Sequence, residues 1–191
     1  MPLLPKQPDV FPGDLLASLD GAPWWVAHVR SRQEKLLARH LIERDIGFFL
    51  PQSEREITSS GRRRRSYLPL FPGYVFFRAE RPSLADVWRS NIVANIIEVE
   101  DQKRLHEELA QLWSLLESGG SLVLYEDLVP GDPVRIKEGP FTGYSGVLVR
   151  QKNTERLIVM VSLIRKAVAV EFSREVVGLA PGAERVRRGI R

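Results

Sequence analysis

Apolar and polar positions fall into distinct blocks along this chain, and each block predicts an element. Trp24-Trp25-Val26-Ala27-His28-Val29 is aromatic and β-branched and reads as a strand ending at Arg30 and Ser31. Ser31 and Glu34 have the spacing of a capping box. Behind them Leu36, Leu37 and Leu41 recur at helical intervals with Arg39, Glu43 and Arg44 outward, so a helix is expected up to Gly47. Phe48-Phe49-Leu50 and Glu54-Arg55-Glu56-Ile57 resume an extended course. Ser59-Ser60-Gly61 supplies a turn, and Tyr67 to Arg78 reads as the returning strand. Ser83 is placed to cap a short helix with Leu84, Val87 and Trp88 inward, and Ile92 to Val99 reads as a further strand. Leu105, Leu109, Leu112 and Leu116 then form one apolar stripe on a helix that Gly119-Gly120 terminates. This order predicts an antiparallel sheet covered by helices.

Beyond residue 120 the helical period disappears. Val134-Arg135-Ile136, Gly146 to Val149, Leu157 to Val161 and Ala167 to Glu171 are short β-rich runs parted by turn residues, the pattern of a small barrel. The expected fold class is therefore α+β. A helix-flanked domain over 23–117 is joined by a linker, 118–127, to an all-β barrel over 128–180. Pro2, Pro5, Pro8 and Pro12 break any continuous helix in the first segment, and residues 1–22 read as a flexible tail; residues 181–191 read as a basic one.

Composition narrows the chemistry. With 191 residues and 43% hydrophobic content there is material for one ordinary core or two small ones. The balance of 28 Lys+Arg against 24 Asp+Glu permits a polyanionic partner without requiring one. Cysteine is absent and the three histidines are scattered without paired spacing, so neither a metal nor another cofactor is expected. No GxSxG elbow, phosphate-binding GxxxxGK[ST] or His-Glu-x-x-His pair occurs, and the carboxylates are spread over amphipathic helices, which argues against an enzyme. No run approaches the roughly 18 apolar residues of a membrane span. A cytoplasmic monomer is expected.

Two adjacent stretches carry the functional signal. Arg62, Arg63, Arg64 and Arg65 follow the expected turn, either as a solvated hairpin tip or as a cluster for phosphate contacts. Leu70-Phe71-Pro72-Gly73-Tyr74-Val75-Phe76 comes next. In a half-buried strand Phe71, Tyr74 and Phe76 cannot all face the core unless Pro-Gly makes a bulge, so some of these rings are expected to be exposed; they either pack beneath the helices, as most aromatics do, or form an apolar patch for a partner helix.

These residues resemble a known family. Trp24-Trp25-Val26, the helix after Ser31 and Leu70 to Phe76 are similar to the N-terminal domain of NusG-type transcription elongation factors. Pro130-Gly131-Asp132-Pro133-Val134-Arg135-Ile136, with Glu138-Gly139-Pro140-Phe141-Thr142-Gly143-Tyr144-Ser145-Gly146-Val147, resembles the family's KOW motif, so the barrel is expected to be SH3-like. The resemblance runs from about residue 23 to 178.

It implies a non-catalytic factor that docks on the clamp helices of RNA polymerase, suppresses pausing or termination, and recruits a second partner through the barrel. On this chain the implied polymerase contacts are Trp25, His28, Phe71, Tyr74 and Phe76. The implied barrel contacts are Phe141, Tyr144, Leu163 and Ile164, toward Rho or a small-subunit ribosomal protein. Where general members carry Phe-Gly-Arg-x-Thr-Pro-Val-Glu-Leu, this chain has Ile164 to Phe172 without that pattern, which speaks against Rho coupling; Arg32-Gln33 through His40-Leu41 and Leu70-Phe71-Pro72 resemble specialised RfaH- or LoaP-like antiterminators. In such members the first helix reads non-template DNA, implying Arg30, His40 and Arg44, while Arg62 to Arg65 approach DNA or nascent RNA. A housekeeping factor of the same fold and a ribosomal or RNA-binding KOW protein are the alternatives.

Overall fold

The computed structural model describes residues 5–59, 62–118, 121–125, 133–135, 145–151, 154–164 and 166–172. The chain divides into two compact units, Met1–Trp113 and Ser114–Arg191. In the first, the strands β1 (Val10–Phe11), β2 (Trp24–Val29), β3 (Gly47–Phe49), β6 (Tyr74–Arg78) and β7 (Val93–Glu98) form one antiparallel sheet in the order β1-β3-β6-β2-β7. Strands β4 (Gln52–Ser59) and β5 (Arg62–Pro69) form a separate two-stranded ribbon. The helices are α1 (Glu34–Ile42), α2 (Leu84–Arg89) and α3 (Gln102–Glu117). No helix among the described residues is long and apolar enough to cross a membrane.

Both faces of the sheet are apolar. Trp25, Ala27, Val29, Phe48, Val75 and Phe77 project from one face and share a core with Leu37, Ala38 and Leu41 of α1 and Val87 of α2. Alternation sends Trp24, Val26, Phe49 and Phe76 to the other face, where they too are buried. There Phe49 meets Trp113 of α3 edge-on at 6.3 Å, and Gln102 brackets the Trp24 backbone, accepting from its N–H at 2.7 Å and donating to its carbonyl at 3.0 Å. A strand covered on both sides needs no polar alternation, which is why β2 reads as a continuous apolar run.

The indole N–H of Trp24 donates to Nδ1 of His106 at 3.4 Å, which requires a neutral imidazole. Burial, reinforced by the nearby Arg78 cation and only partly opposed by Glu107, holds the His106 pKa below its ordinary value. The unfolded chain therefore binds this proton more readily. The contribution is intact above about pH 6.5 and is lost as pH falls through the depressed folded-state value. His106→Gln keeps an acceptor but cannot titrate. Chemical denaturation at stepped pH should show the parent losing stability relative to the variant below about pH 6.5; parallel curves would refute this.

Several expectations are revised. Residues 5–22 are not a loose tail: Val10 and Phe11 pair with Phe49 and Phe48, Leu16 is buried, and the Gln52 amide donates to the Gln7 carbonyl at 2.8 Å. Arg78 fixes the following loop, its guanidinium donating to the carbonyls of Ala22, Ser18, Leu19 and Asp20 at 2.5–2.9 Å. Helix α1 starts at Glu34 with no side-chain cap, and it buries Leu37 and Leu41 but exposes Leu36. Trp88, expected inward, is 46% exposed. In α3 the buried stripe ends at Leu115 instead of Leu116.

The expected strand from Tyr67 to Arg78 is broken in two. The Tyr74 N–H donates to the Phe71 carbonyl at 3.0 Å, with Pro72 and Gly73 between them and Gly73 at φ +86°. This is the Pro-Gly pattern of a type II turn.

The second unit holds β8 (Ser121–Tyr125), β9 (Pro133–Arg135), β10 (Ser145–Gln151), β11 (Thr154–Val161) and β12 (Lys166–Phe172). They form an antiparallel sheet in the order β8-β12-β11-β10-β9. The segment expected to be a linker thus contributes a strand, because Ser121-Leu122-Val123-Leu124-Tyr125 is itself β-rich and pairs with Ala167 to Glu171.

Candidate docking face and basic ribbon

The register of β2, β6 and β7 sets His28 opposite both Tyr74 and Asn95. Alternation puts this row on the sheet face that carries Val26 and Phe76 one step away. The contacts of Gln102, His106 and Trp113 on this face fall at Trp24 and Phe49, and the His28 row stays accessible: His28 and Asn95 are exposed and Tyr74 half-buried. The imidazole and phenol rings lie 5.2 Å apart at 34°.

The turn before Tyr74 is held from two sides. Val29 donates to the Gly73 carbonyl at 2.8 Å, and the Gly73 N–H donates to the buried Glu34 carboxylate at 2.7 Å. Glu34, read from sequence as a helix cap, instead joins the start of α1 to the Pro-Gly turn. A carboxylate accepting a backbone N–H makes one of the stronger neutral-to-charged hydrogen bonds, and here it fixes where the Tyr74 ring emerges.

Three of the five residues singled out for polymerase contact lie elsewhere. Phe71 is 1% exposed and packs edge-on to Phe76 at 5.7 Å, and Phe76 is fully buried. Both rings belong to a buried apolar floor beside the row and not to its accessible surface. Trp25 points to the opposite face, donates its indole N–H to the Ala79 carbonyl at 2.8 Å, and lies under the Arg81 guanidinium. Asn95, which no motif marks, joins His28 and Tyr74 through register alone.

Arg30 closes β2, exposed, with its guanidinium donating to Asn91 at 3.3 Å. On α1, His40 Nε2 is 3.0 Å from the Asp86 carbonyl, tying α1 to α2, and Arg44 donates to the His40 carbonyl at 3.2 Å. Arg62 to Arg65 do not form a loop. All of them lie in β5, paired with Ser59 to Glu56 of β4. In the second unit Leu163 is half-buried and Ile164 buried, on a single 3-10 turn, Ser162–Ile164; Phe141 and Tyr144 lie outside the described residues.

Residues 22–111 match the family model described as "Transcription termination factor nusG". The chain is similar to "Transcription termination/antitermination protein NusG" of Pseudomonas aeruginosa, 28% identical over 170 residues that cover 79% of this chain and 96% of that one. It is also similar to the protein of the same name from Borreliella burgdorferi, 26% identical over 174 residues, covering 78% and 93%. A solved structure described as "Domain interaction in Thermotoga maritima NusG" aligns over 80% of this chain and 94% of that chain, at 17% identity and a TM-score of 0.43.

Proposed function

We propose that this chain, similar to NusG proteins over most of its length, is a transcription factor of that type, which binds RNA polymerase through the His28–Tyr74–Asn95 row and suppresses pausing or termination. Such a factor needs no bond-making chemistry. Differential affinity for the elongating state is enough to deplete a paused one, and about 1.4 kcal/mol of bias shifts that equilibrium tenfold. The observation that carries this reading is the accessible imidazole–phenol pair beside a buried Phe71–Phe76 floor, positioned by the Glu34–Gly73 hydrogen bond. A ring held rigidly, with apolar support and a polar tip, is the type of side chain that dominates binding energy at protein interfaces.

The second unit is read as the KOW barrel, with Leu163 and Tyr144 as contacts to its partner. Arg30, His40 and Arg44 are read as contacts to non-template DNA. The departure between Ile164 and Phe172 speaks against Rho as the partner, and the resemblance of Arg32 to Leu41 and Leu70-Phe71-Pro72 to specialised members favours an operon-specific antiterminator over a housekeeping factor.

The test is co-purification of the full chain with core RNA polymerase. The paired substitution His28→Ala/Tyr74→Ala should reduce retention at least tenfold while leaving the circular dichroism spectrum unchanged. Full retention by that variant would place the contact elsewhere. Recovery of ribosomal RNA without polymerase would replace the reading with that of a ribosomal KOW protein.

A further inference from the structure

We infer that the β4–β5 ribbon holds a phosphodiester backbone with one face only, through Arg55, Arg62 and Arg64, and that Arg63 and Arg65 take little part. This refines the reading of the chain as a transcription factor working beside nucleic acid, and it rests on that reading.

The argument comes from register. Directly paired residues of an antiparallel ladder share a face, and successive residues alternate. The pairs Glu54↔Tyr67, Glu56↔Arg65 and Thr58↔Arg63 therefore belong to one face, and Arg55↔Ser66, Ile57↔Arg64 and Ser59↔Arg62 to the other. The first face is internally neutralised. Arg65 Nε lies 3.2 Å from a Glu54 carboxylate oxygen, and Arg63 Nη1 lies 3.8 Å from Glu56, both diagonally across the ladder. These pairs are exposed and add little to stability. Their consequence is electrostatic: two cations face two anions, so a polyanion approaching from that side meets no net positive charge.

The second face has arginine at three register positions and a carboxylate at none, since β4 supplies Ser53, Arg55, Ile57 and Ser59 there and β5 supplies Arg62, Arg64, Ser66 and Leu68. Alternate positions on a strand are about 7 Å apart, so Arg62 and Arg64 are spaced to engage separate phosphates, not one. Each phosphate neutralised releases counterions and adds to the salt dependence of binding. The ribbon has no base-reading device, and its grip is expected to be independent of sequence.

The test uses two substitutions of equal charge in the full chain, Arg62→Gln/Arg64→Gln and Arg63→Gln/Arg65→Gln. Each is titrated by fluorescence anisotropy against labelled duplex DNA, single-stranded DNA and RNA of one sequence, across a salt series. The first pair should flatten the log–log salt slope by about 1.5 on whichever backbone is held, and the second by less than about 0.3. Glu54→Gln/Glu56→Gln should steepen it, because the neutralised face then becomes basic. Equal flattening by both pairs would overturn the one-face assignment and leave the nucleic-acid reading standing. Absence of any salt-dependent binding by the parent chain would overturn both. Loss of polymerase retention in Arg62→Gln/Arg64→Gln, with an unchanged slope, would replace the phosphate backbone with an acidic protein surface.

Discussion

Arg78→Met is expected to cost about 3–4 kcal/mol of stability, although the side chain takes part in no ion pair among the described residues. Arg78 is 9% exposed, and its guanidinium lies over the Trp24 ring and fills its donor fork with the carbonyls of Ala22, Ser18, Leu19 and Asp20. Met matches the aliphatic stem but supplies no donor, so four carbonyls of one loop lose their charge-assisted partners together. Lysine offers a point charge without the planar fork, and Arg78→Lys should recover less than half of the loss. Hydrogen exchange locates the damage. The amides of Leu15 and Ala17, bonded to Pro12 and Asp14, should exchange early, while those in the centre of β2 and β6 open only with global unfolding. A denaturation midpoint within error of the parent would show that the loop is held by other contacts.

Phe76→Ala should be as severe, at about 4 kcal/mol. The ring is fully buried in the layer between the sheet and α3, 6.3 Å from Phe49 and 5.7 Å from Phe71, so truncation leaves a cavity walled by aromatic rings that cannot easily collapse into it. Tyr74→Ala, two residues away on the same face, removes a half-buried ring and should cost about 1 kcal/mol. Urea denaturation of the two variants separates these roles, and comparable losses would contradict the assignment of Phe76 to the floor and Tyr74 to the surface. The contrast also governs how binding data are read. Lost polymerase retention in Phe71→Ala or Phe76→Ala reports a damaged fold, whereas the same loss in His28→Ala/Tyr74→Ala reports a missing contact.

Pattern made much of the frame legible. The run from Trp24 to Val29 is a strand, as its aromatic and β-branched composition requires, and the stripe Leu105, Leu109, Leu112 is the buried side of a helix, where burial follows the helical period. The candidate face was legible only in part. His28 and Tyr74 are within reach of sequence reasoning, but which of Phe71, Tyr74 and Phe76 is exposed is not, since the alternation that sends some of these rings to the surface assumes that one side of the strand is wet. A sheet covered on both sides removes that premise. Glu34 was misread for a related reason: a carboxylate three residues after a serine fits a cap, and nothing local reveals that its partner is Gly73, 39 residues further on.

By itself the sequence determined the element types, the separation of a helix-containing half from a β-rich half, and the motifs that resemble those of NusG proteins. These rest on short-range periodicity and on backbone chemistry local to Pro, Gly and β-branched residues. Tertiary structure alone decided which aromatic rings are floor and which are surface, that a proline-rich opening segment becomes part of the fold under Arg78, and how the arginines divide between the two faces of the ribbon. Each of those outcomes depends on a partner tens of residues away or on the register of another strand, and neither leaves a mark in the local pattern of apolar and polar positions.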